Sequence, residues 1–346
     1  MSRMKRRDFL KGLAAGGAAA AVATVEPKGG LRDAWAAKKE DIGQVKSLKI
    51  TCVTETSWFD NATFLKTIKE AGGVMVSQYK YPFREENKGG YSALVEVENL
   101  DGSWRKILLD TGFSEEWTDY CFKRAGIDKM LQGDEIEFLF ISHEHFDHFW
   151  GIRTTMKYNP KIKTYIGDKY YPEGMELYEK SGHKGELVTM EPNKVYKLFP
   201  GCAGVHFDVP IIGRVRGETV MYFDVKDKGI VTVTGCCHPG ILTLLNYAKR
   251  NFKGGDTMYG CYGGLHISVF ENWDPKFDDI IVGVKGFNMK KMGCNHCTGW
   301  IWCEKAEKAG LPIIHGTNKY RTYPKWSTVA REDVNLYITN GDVIVF

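Results

Sequence analysis

Three histidines and one aspartate fall within six consecutive positions of ISHEHFDHFWG, residues 141–151, directly behind the apolar run FLFI. Side chains two apart project the same way from an extended segment, so His143 and His145 can bind one cation together. Asp147 and His148 are placed to start a helix over that segment and to face a second cation beside the first. Glu144 lies between two candidate ligands and is expected to point away from them. A lone histidine is ordinarily a core or surface residue, but four ligand-type side chains at this spacing, ending a buried strand, read as a metal site.

Other histidines lie in boxes of their own: His238 in GCCHPGI, His266 in GGLH and His296 in HCTG. His183 and His206 read as loop residues rather than ligands. Cys294 and Cys297 flank His296 and offer a disulfide or a structural zinc knuckle as another reading, although no second C-x-x-C completes a four-cysteine site. Covalent haem attachment is excluded, because Thr298 stands where C-x-x-C-H needs a histidine. Trp150, Trp300 and Trp302 adjoin the histidine boxes and serve either as pocket walls or as core.

The elements that carry these residues alternate strand and helix. SLKITCVTE reads as a strand and NATFLKTIKEAG as a helix closed by Gly72 and Gly73. YSALVEVEN and RKILLDTG are strands around the turn Asp101-Gly102, EEWTDYCFKRAG is helical, and EIEFLFIS is a short buried strand leading into the first histidine box. GIRTTMKY reads as helix, KTYIGD and VYKLFPG as strands, and GETVMYFDVKDKGIVTVTGC as a hairpin turning at residues 226–229. HPGILTLLNYAKRNF and CTGWIWCEKAEKAG are helices on either side of MYGCYGGLH, and VNLYITNGDVIVF is a terminal hairpin turning at Asn340-Gly341. The least regular stretch is HFDVPIIGRVRGET, which reads as an insertion near the site. The interleaving predicts a single α/β domain with mixed sheets over residues 45–346.

The first 36 residues differ in kind. A basic front with Arg6-Arg7 precedes a weakly apolar Ala/Gly run, and AWAA (residues 34–37) supplies a small-x-small cleavage pattern, so residues 1–36 resemble a twin-arginine signal peptide. The run is too short and too weakly apolar for a stable membrane span, which needs about 20 residues. This leader holds seven Lys/Arg and three acids, the whole of the net charge of +4. The rest of the chain has 40 of each sign, which gives no case for nucleic acid or anionic lipid as partner. Nine cysteines are too few for a disulfide scaffold of 346 residues, and the odd number leaves one unpaired within a monomer.

H-x-H-x-D-H behind an apolar strand resembles the signature of the metallo-β-lactamase superfamily. LLDTG (residues 108–112) resembles the aspartate-bearing strand upstream of it, which makes Asp110 a hydrogen-bonding support for a ligand histidine. GCCHPGI, GGLH and HCTG resemble the G-C-S-H-x-G, G-G-F-H-L and H-C-T-G boxes of the 7,8-dihydropterin-6-yl-methyl-4-(β-D-ribofuranosyl)aminobenzene 5'-phosphate synthase-like branch. The likeness runs in motif order over most of residues 48–346, with Cys237 where the branch usually has Ser and Ile267 where it has Leu.

The resemblance implies a four-layer αβ/βα sandwich, the metallo-β-lactamase fold, with mixed β-sheets flanked by helices. It implies two divalent metal ions, zinc first with iron or manganese as options: His143, His145 and His238 for one, Asp147, His148 and His296 for the other. The superfamily's bridging aspartate has no match, since Cys236 stands where G-D is expected. Either His266 or Cys236 enters the shell, or the second site is depleted; His266 is expected near the site. The function implied is an exported metal-dependent hydrolase that uses a dinuclear-site hydroxide to cleave an ester, lactone or phosphoester bond, with Asp147 accepting the proton. A di-iron redox enzyme on the same fold and a non-catalytic metal-binding accessory protein are the alternatives.

The partners expected are a small-molecule substrate and the twin-arginine translocase during export, with no nucleic acid and no stable membrane span after cleavage. The destination is the periplasm or the medium, which sits badly with a pterin precursor made in the cytoplasm. Twin-arginine export moves folded chains, so a metal loaded beforehand is protected from competing copper or zinc, which bind more tightly than iron or manganese.

Overall fold

The computed structural model describes residues 39–56, 58–317 and 335–346. The proposed signal peptide lies outside the described residues. Seven strands form one sheet: β1 (Ser47–Thr54), β2 (Ser92–Glu98), β3 (Trp104–Leu109), β4 (Phe138–Phe140), β5 (Lys163–Gly167), β6 (Leu187–Met190) and, at the far edge beside β1, the C-terminal strand Val343–Val345. The second sheet holds β7 (Val195–Phe199), β8 (Cys202–Ile211), β9 (Val215–Val225), β10 (Gly229–Val233), β11 (Met258–Gly263) and β12 (Lys291–Cys294); the C-terminal strand is β13. Both sheets are mixed: β3 to β6 run parallel, as do β10 to β12, and the remaining neighbours are antiparallel.

Strand side chains alternate between two dry layers, as a period of two requires. Leu48, Ile50, Ile107, Leu109, Phe138 and Phe140 of the first sheet pack inward against Met221, Phe223, Val231 and Val233 of the second. After α1 (Asn61–Glu70) come five helices that cover the outer face of this sheet, where Leu108 and Leu139 point: α2 (Glu115–Ala125), α3 (Ile127–Gln132), α4 (Phe146–Phe149), α5 (Ile152–Tyr158) and α6 (Pro172–Glu179). On the far side, Val220, Tyr222, Ile230 and Met292 meet α7 (Ile241–Asn251), α8 (Lys276–Lys285) and α9 (Trp300–Lys308). Each large apolar side chain so buried contributes about 1.5–3 kcal/mol. The four layers form an αβ/βα sandwich.

Three expectations are corrected. Residues 335–342 do not form the first arm of a terminal hairpin: only Val343–Val345 is a strand, and it pairs with β1. HFDVPIIGRVRGET is regular rather than irregular: it is the second half of β8, a turn at residues 212–214 and the start of β9, the two longest strands among the described residues. His206 accordingly lies within β8, buried, rather than in a loop. Six elements carry weak sequence signals: α3, α6, α8, β6, β8 and β12.

Candidate metal centre

The candidate residues leave the carboxyl ends of parallel strands, where α/β sheets place their ligands. Asp110 follows β3, residues 141–148 follow β4, Cys236 and His238 follow β10, His266 follows β11 and His296 follows β12. Asp147 and His148 sit on the single turn of α4, whose N-cap is His145. Buried Gln78 clamps this turn from both sides: its amide donates to the Glu144 carbonyl (2.9 Å) and its Oε1 accepts from the Phe146 N–H (2.8 Å). Glu144 itself points away, accepting from Tyr79 Oη (2.7 Å) and the Tyr171 N–H (3.0 Å).

Hydrogen bonds fix the tautomers. Burial holds the imidazoles of His143, His148 and His238 well below their ordinary range and brings His145 down to about 3, so these rings are neutral near neutral pH and carry one N–H each. Asp110 Oδ2 accepts from Ser142 Oγ (2.7 Å) and from His148 Nδ1 (2.6 Å), while its Oδ1 accepts from the Ser142 N–H (2.6 Å). With its own proton committed to Asp110, Ser142 Oγ accepts from His143 Nδ1 (2.9 Å). His145 Nε2 donates to the Ile212 carbonyl (2.9 Å), and His296 Nδ1 donates to the Glu55 carbonyl (2.9 Å).

In His143, His145, His148 and His296 the other ring nitrogen therefore turns its lone pair inward. His143 Nε2 lies 2.9 Å from His145 Nδ1 and 3.2 Å from His238 Nε2, and His148 Nε2 lies 2.9 Å from His296 Nε2. Facing lone pairs repel unless a cation sits between them, so the donor set fits metal ions. Asp147 adds carboxylate oxygens 3.8 Å from His148 Nε2 and 3.6 Å from His296 Nε2. His143, His145 and His238 present donor atoms within 4.8 Å of one another, and so do Asp147, His148 and His296. His266 lies beside His238 with ring centroids 4.3 Å apart and planes tilted by 54°, and its buried Nδ1 has no hydrogen-bond partner.

Several supports leave little trace in the sequence. Glu218 on β9 is fully buried; it accepts from the backbone N–H groups of Cys236 (3.0 Å), Cys237 (2.8 Å) and His238 (2.6 Å) and from Thr234 Oγ1 (2.7 Å). Gly235 is required by crowding, since a Cβ there would lie 2.2 Å from Ser142 Oγ and 3.0 Å from Asp110 Oδ2. Asp110, Cys237, His266 and His296 all hold positive φ, between 46° and 61°, strain that the surrounding bonds must offset.

A cavity open to solvent borders the cluster, with about 520 Å³ of empty space extending out through its opening. His145, Asp147, Cys236, His266 and His296 form one wall, and Trp58, Phe64, Ile68, Tyr81, Phe146 and Phe270 form another. Trp58 stacks on Phe64 with centroids 4.1 Å apart. Trp302 is core instead, and Trp150 packs behind the cavity against Phe113 and Tyr79. All nine cysteines are free and buried, so Cys294 and Cys297 form no disulfide, and His183 bonds the Ile162 carbonyl (2.7 Å) and Tyr178. No helix among the described residues is long and apolar enough to cross a membrane.

Comparison with known proteins agrees with this architecture. Residues 3–23 match the twin-arginine translocation pathway signal sequence, and residues 89–238 match the metallo-beta-lactamase superfamily. The 7,8-dihydropterin-6-methyl-4-(beta-D-ribofuranosyl)-aminobenzene-5'-phosphate synthase of Methanocaldococcus jannaschii is 28% identical over 263 residues, covering 64% of this chain and 84% of that protein. An uncharacterized protein of the same organism is 25% identical over 234 residues, covering 61% and 84% respectively. Among solved structures, a metal-dependent hydrolase of the beta-lactamase superfamily aligns with a TM-score of 0.51 at 17% identity, over 75% of this chain and 92% of that one, a likeness of fold. The chain thus matches a twin-arginine signal sequence over residues 3–23 and the metallo-beta-lactamase superfamily over residues 89–238, on a fold of the same kind.

Proposed function

We propose that the protein is an exported hydrolase with a dinuclear metal centre, acting on an ester, lactone or phosphoester bond next to an apolar group. The observation that carries this reading is the set of opposed imidazole lone pairs at the mouth of an aromatic-walled cavity. His143, His145 and His238 would hold one ion, and Asp147, His148 and His296 the other, zinc being the first choice. Divalent ions held there would supply Lewis acidity to a carbonyl or phosphoryl oxygen and would bring the pKa of a bound water down toward neutrality. The chain does the rest. Asp147, barely exposed and beside His148 and His296, would accept the proton of the attacking water. Trp58, Phe64 and Phe146 bind and orient the apolar part of the substrate and exclude bulk water.

The likeness to a synthase of a pterin-containing phosphate bears on ancestry more than on substrate, because the signal sequence directs this chain out of the cytoplasm. The test is elemental analysis of the mature protein together with a panel of esters, lactones and phosphodiesters. Two divalent ions per chain and hydrolysis abolished by chelation and by His145→Ala are expected. Full hydrolysis after either treatment would overturn the reading. Iron with a visible absorption band and no hydrolysis would favour a redox centre instead.

A further inference from the structure

Among the described residues, five triads of potential ligands have donor atoms within 4.8 Å of one another, and Cys236 belongs to three of them. It joins His143 and His148 from the first half of the chain, His238 and His266 from the second, and His296 and Cys297 at the far end. Asp147 belongs to one. The Cys236 sulfur therefore stands between the two groups of imidazoles, 3.1 Å from His148 Nε2, the nitrogen left with a lone pair when Nδ1 donates to Asp110. Its position is held from behind: the Cys236 N–H is anchored on Glu218, and the next residue turns the chain through φ 61°. The side chain is 3% exposed and borders the cavity.

We infer that Cys236 supplies a thiolate that bridges the two cation positions, an inference that rests on the dinuclear reading above. A thiolate has lone pairs enough for two ions, and its sulfur lies within reach of both nitrogen sets. On ligation the thiol proton passes to solvent and nothing is oxidised or reduced. The soft donor favours thiophilic ions such as zinc, cobalt and cadmium over manganese. The competing role is a plain S–H···N hydrogen bond from Cys236 to His148 Nε2, with histidines and Asp147 alone holding the metal.

The experiment loads the full chain with Co(II) under anaerobic conditions and records near-ultraviolet absorption and cobalt stoichiometry, neither of which depends on turnover. Wild type is expected to bind two cobalt ions and to show a sulfur-to-cobalt charge-transfer band. Cys236→Ser loses the band and binds the second cobalt at least about 10-fold more weakly, the scale on which shell substitutions act. Cys236→Asp loses the band but keeps two cobalt ions, because a carboxylate can bridge as well; this variant carries the test if the serine form fails to fold. Cys297→Ser keeps the band. Cobalt bound without a sulfur band, or a band that persists in Cys236→Ser, overturns the inference and leaves the hydrolase reading standing. Failure of wild type to bind any cobalt overturns both.

Discussion

Asp110 and Glu218 are both fully buried carboxylates behind the histidine cluster, yet they organise its two halves by different means. Asp110 works mainly on side chains, accepting hydrogen bonds from His148 Nδ1 and Ser142 Oγ beside one from the Ser142 N–H, and thereby setting which ring nitrogens of His148 and His143 face inward. Glu218 works on backbone, collecting three consecutive N–H groups that no strand or helix could satisfy. The reason lies in the loops they serve. Residues 145–149 are already folded by α4 and by Gln78, so their backbone is fixed and the tautomers remain to be chosen. The turn at residues 234–238 has no secondary structure and includes Cys237 at positive φ, so its donors converge and need an acceptor inside the fold.

The difference predicts which site fails by unfolding and which by losing metal. Glu218→Ala should be the most damaging: it leaves the Cys236 and His238 N–H groups and the Thr234 hydroxyl without an acceptor, at about 1–3 kcal/mol each before relaxation, while the Cys237 N–H keeps only its 3.0 Å bond to Thr234 Oγ1. A net loss of about 4 kcal/mol in denaturant unfolding is expected, with metal binding lost alongside. Glu218→Gln keeps one acceptor oxygen but turns an amide donor toward the His238 N–H, so it should be milder in stability and still displace His238. Asp110→Asn comes next. It preserves shape and most packing but offers a donor where His148 Nδ1–H needs an acceptor. Metal affinity should fall about 10–100-fold while stability of the metal-free protein changes by less than about 2 kcal/mol. Competition titration and thermal melts on the same samples measure both. If Asp110→Asn unfolds the protein as severely as Glu218→Ala, the proposed division of labour between the two carboxylates is wrong.

That asymmetry also explains what is legible in the sequence. His143, His145, Asp147 and His148 stand out because a strand and a single helical turn convert short spacing directly into proximity. The contributions of His238, His266 and His296 depend on three separate parallel strands of the second sheet ending at one place, so they rest on box resemblance rather than on spacing. Glu218 is hidden at the end of an irregular-looking stretch. Its one signal is an ionisable residue entering an apolar run, GETVMYF, which a buried strand tolerates only when the charge is hydrogen-bonded. The cavity walls escape the sequence for a related reason. Trp150 and Trp302 draw notice because they adjoin histidines in sequence, whereas Trp58, Phe64 and Phe270 reach the site from distant loops and α1. Much of the fold is legible from strand and helix patterning, except where strands such as β6 and β12 are too short to show a period and where β8, buried on both faces over its first six residues, shows none.

A third carboxylate sharpens the contrast from the solvent side. Burial pushes the pKa of Asp119 on α2 up, as it does for Asp110 and Glu218, but hydrogen bonds from Lys123, Tyr158 and Lys157 outweigh it and bring Asp119 down to about 2. The distances are 2.7 Å to Lys123 and 2.9 Å to Lys157. A depressed carboxylate contributes stability above its unfolded pKa, 3.8, and that contribution is lost as pH falls through about 2. The shift would correspond to about 2.4 kcal/mol in full, but water reaches this network, so screening should reduce it below about 1 kcal/mol. Asp119→Asn should therefore cost under about 1 kcal/mol near neutral pH, in urea unfolding, and the difference from wild type should close as pH approaches about 2. A penalty independent of pH would assign Asp119 a packing role. It would also remove the distinction between a lysine-rich surface, which lowers a carboxyl by charge, and the metal-site carboxylates, which are held by neutral donors around buried loops.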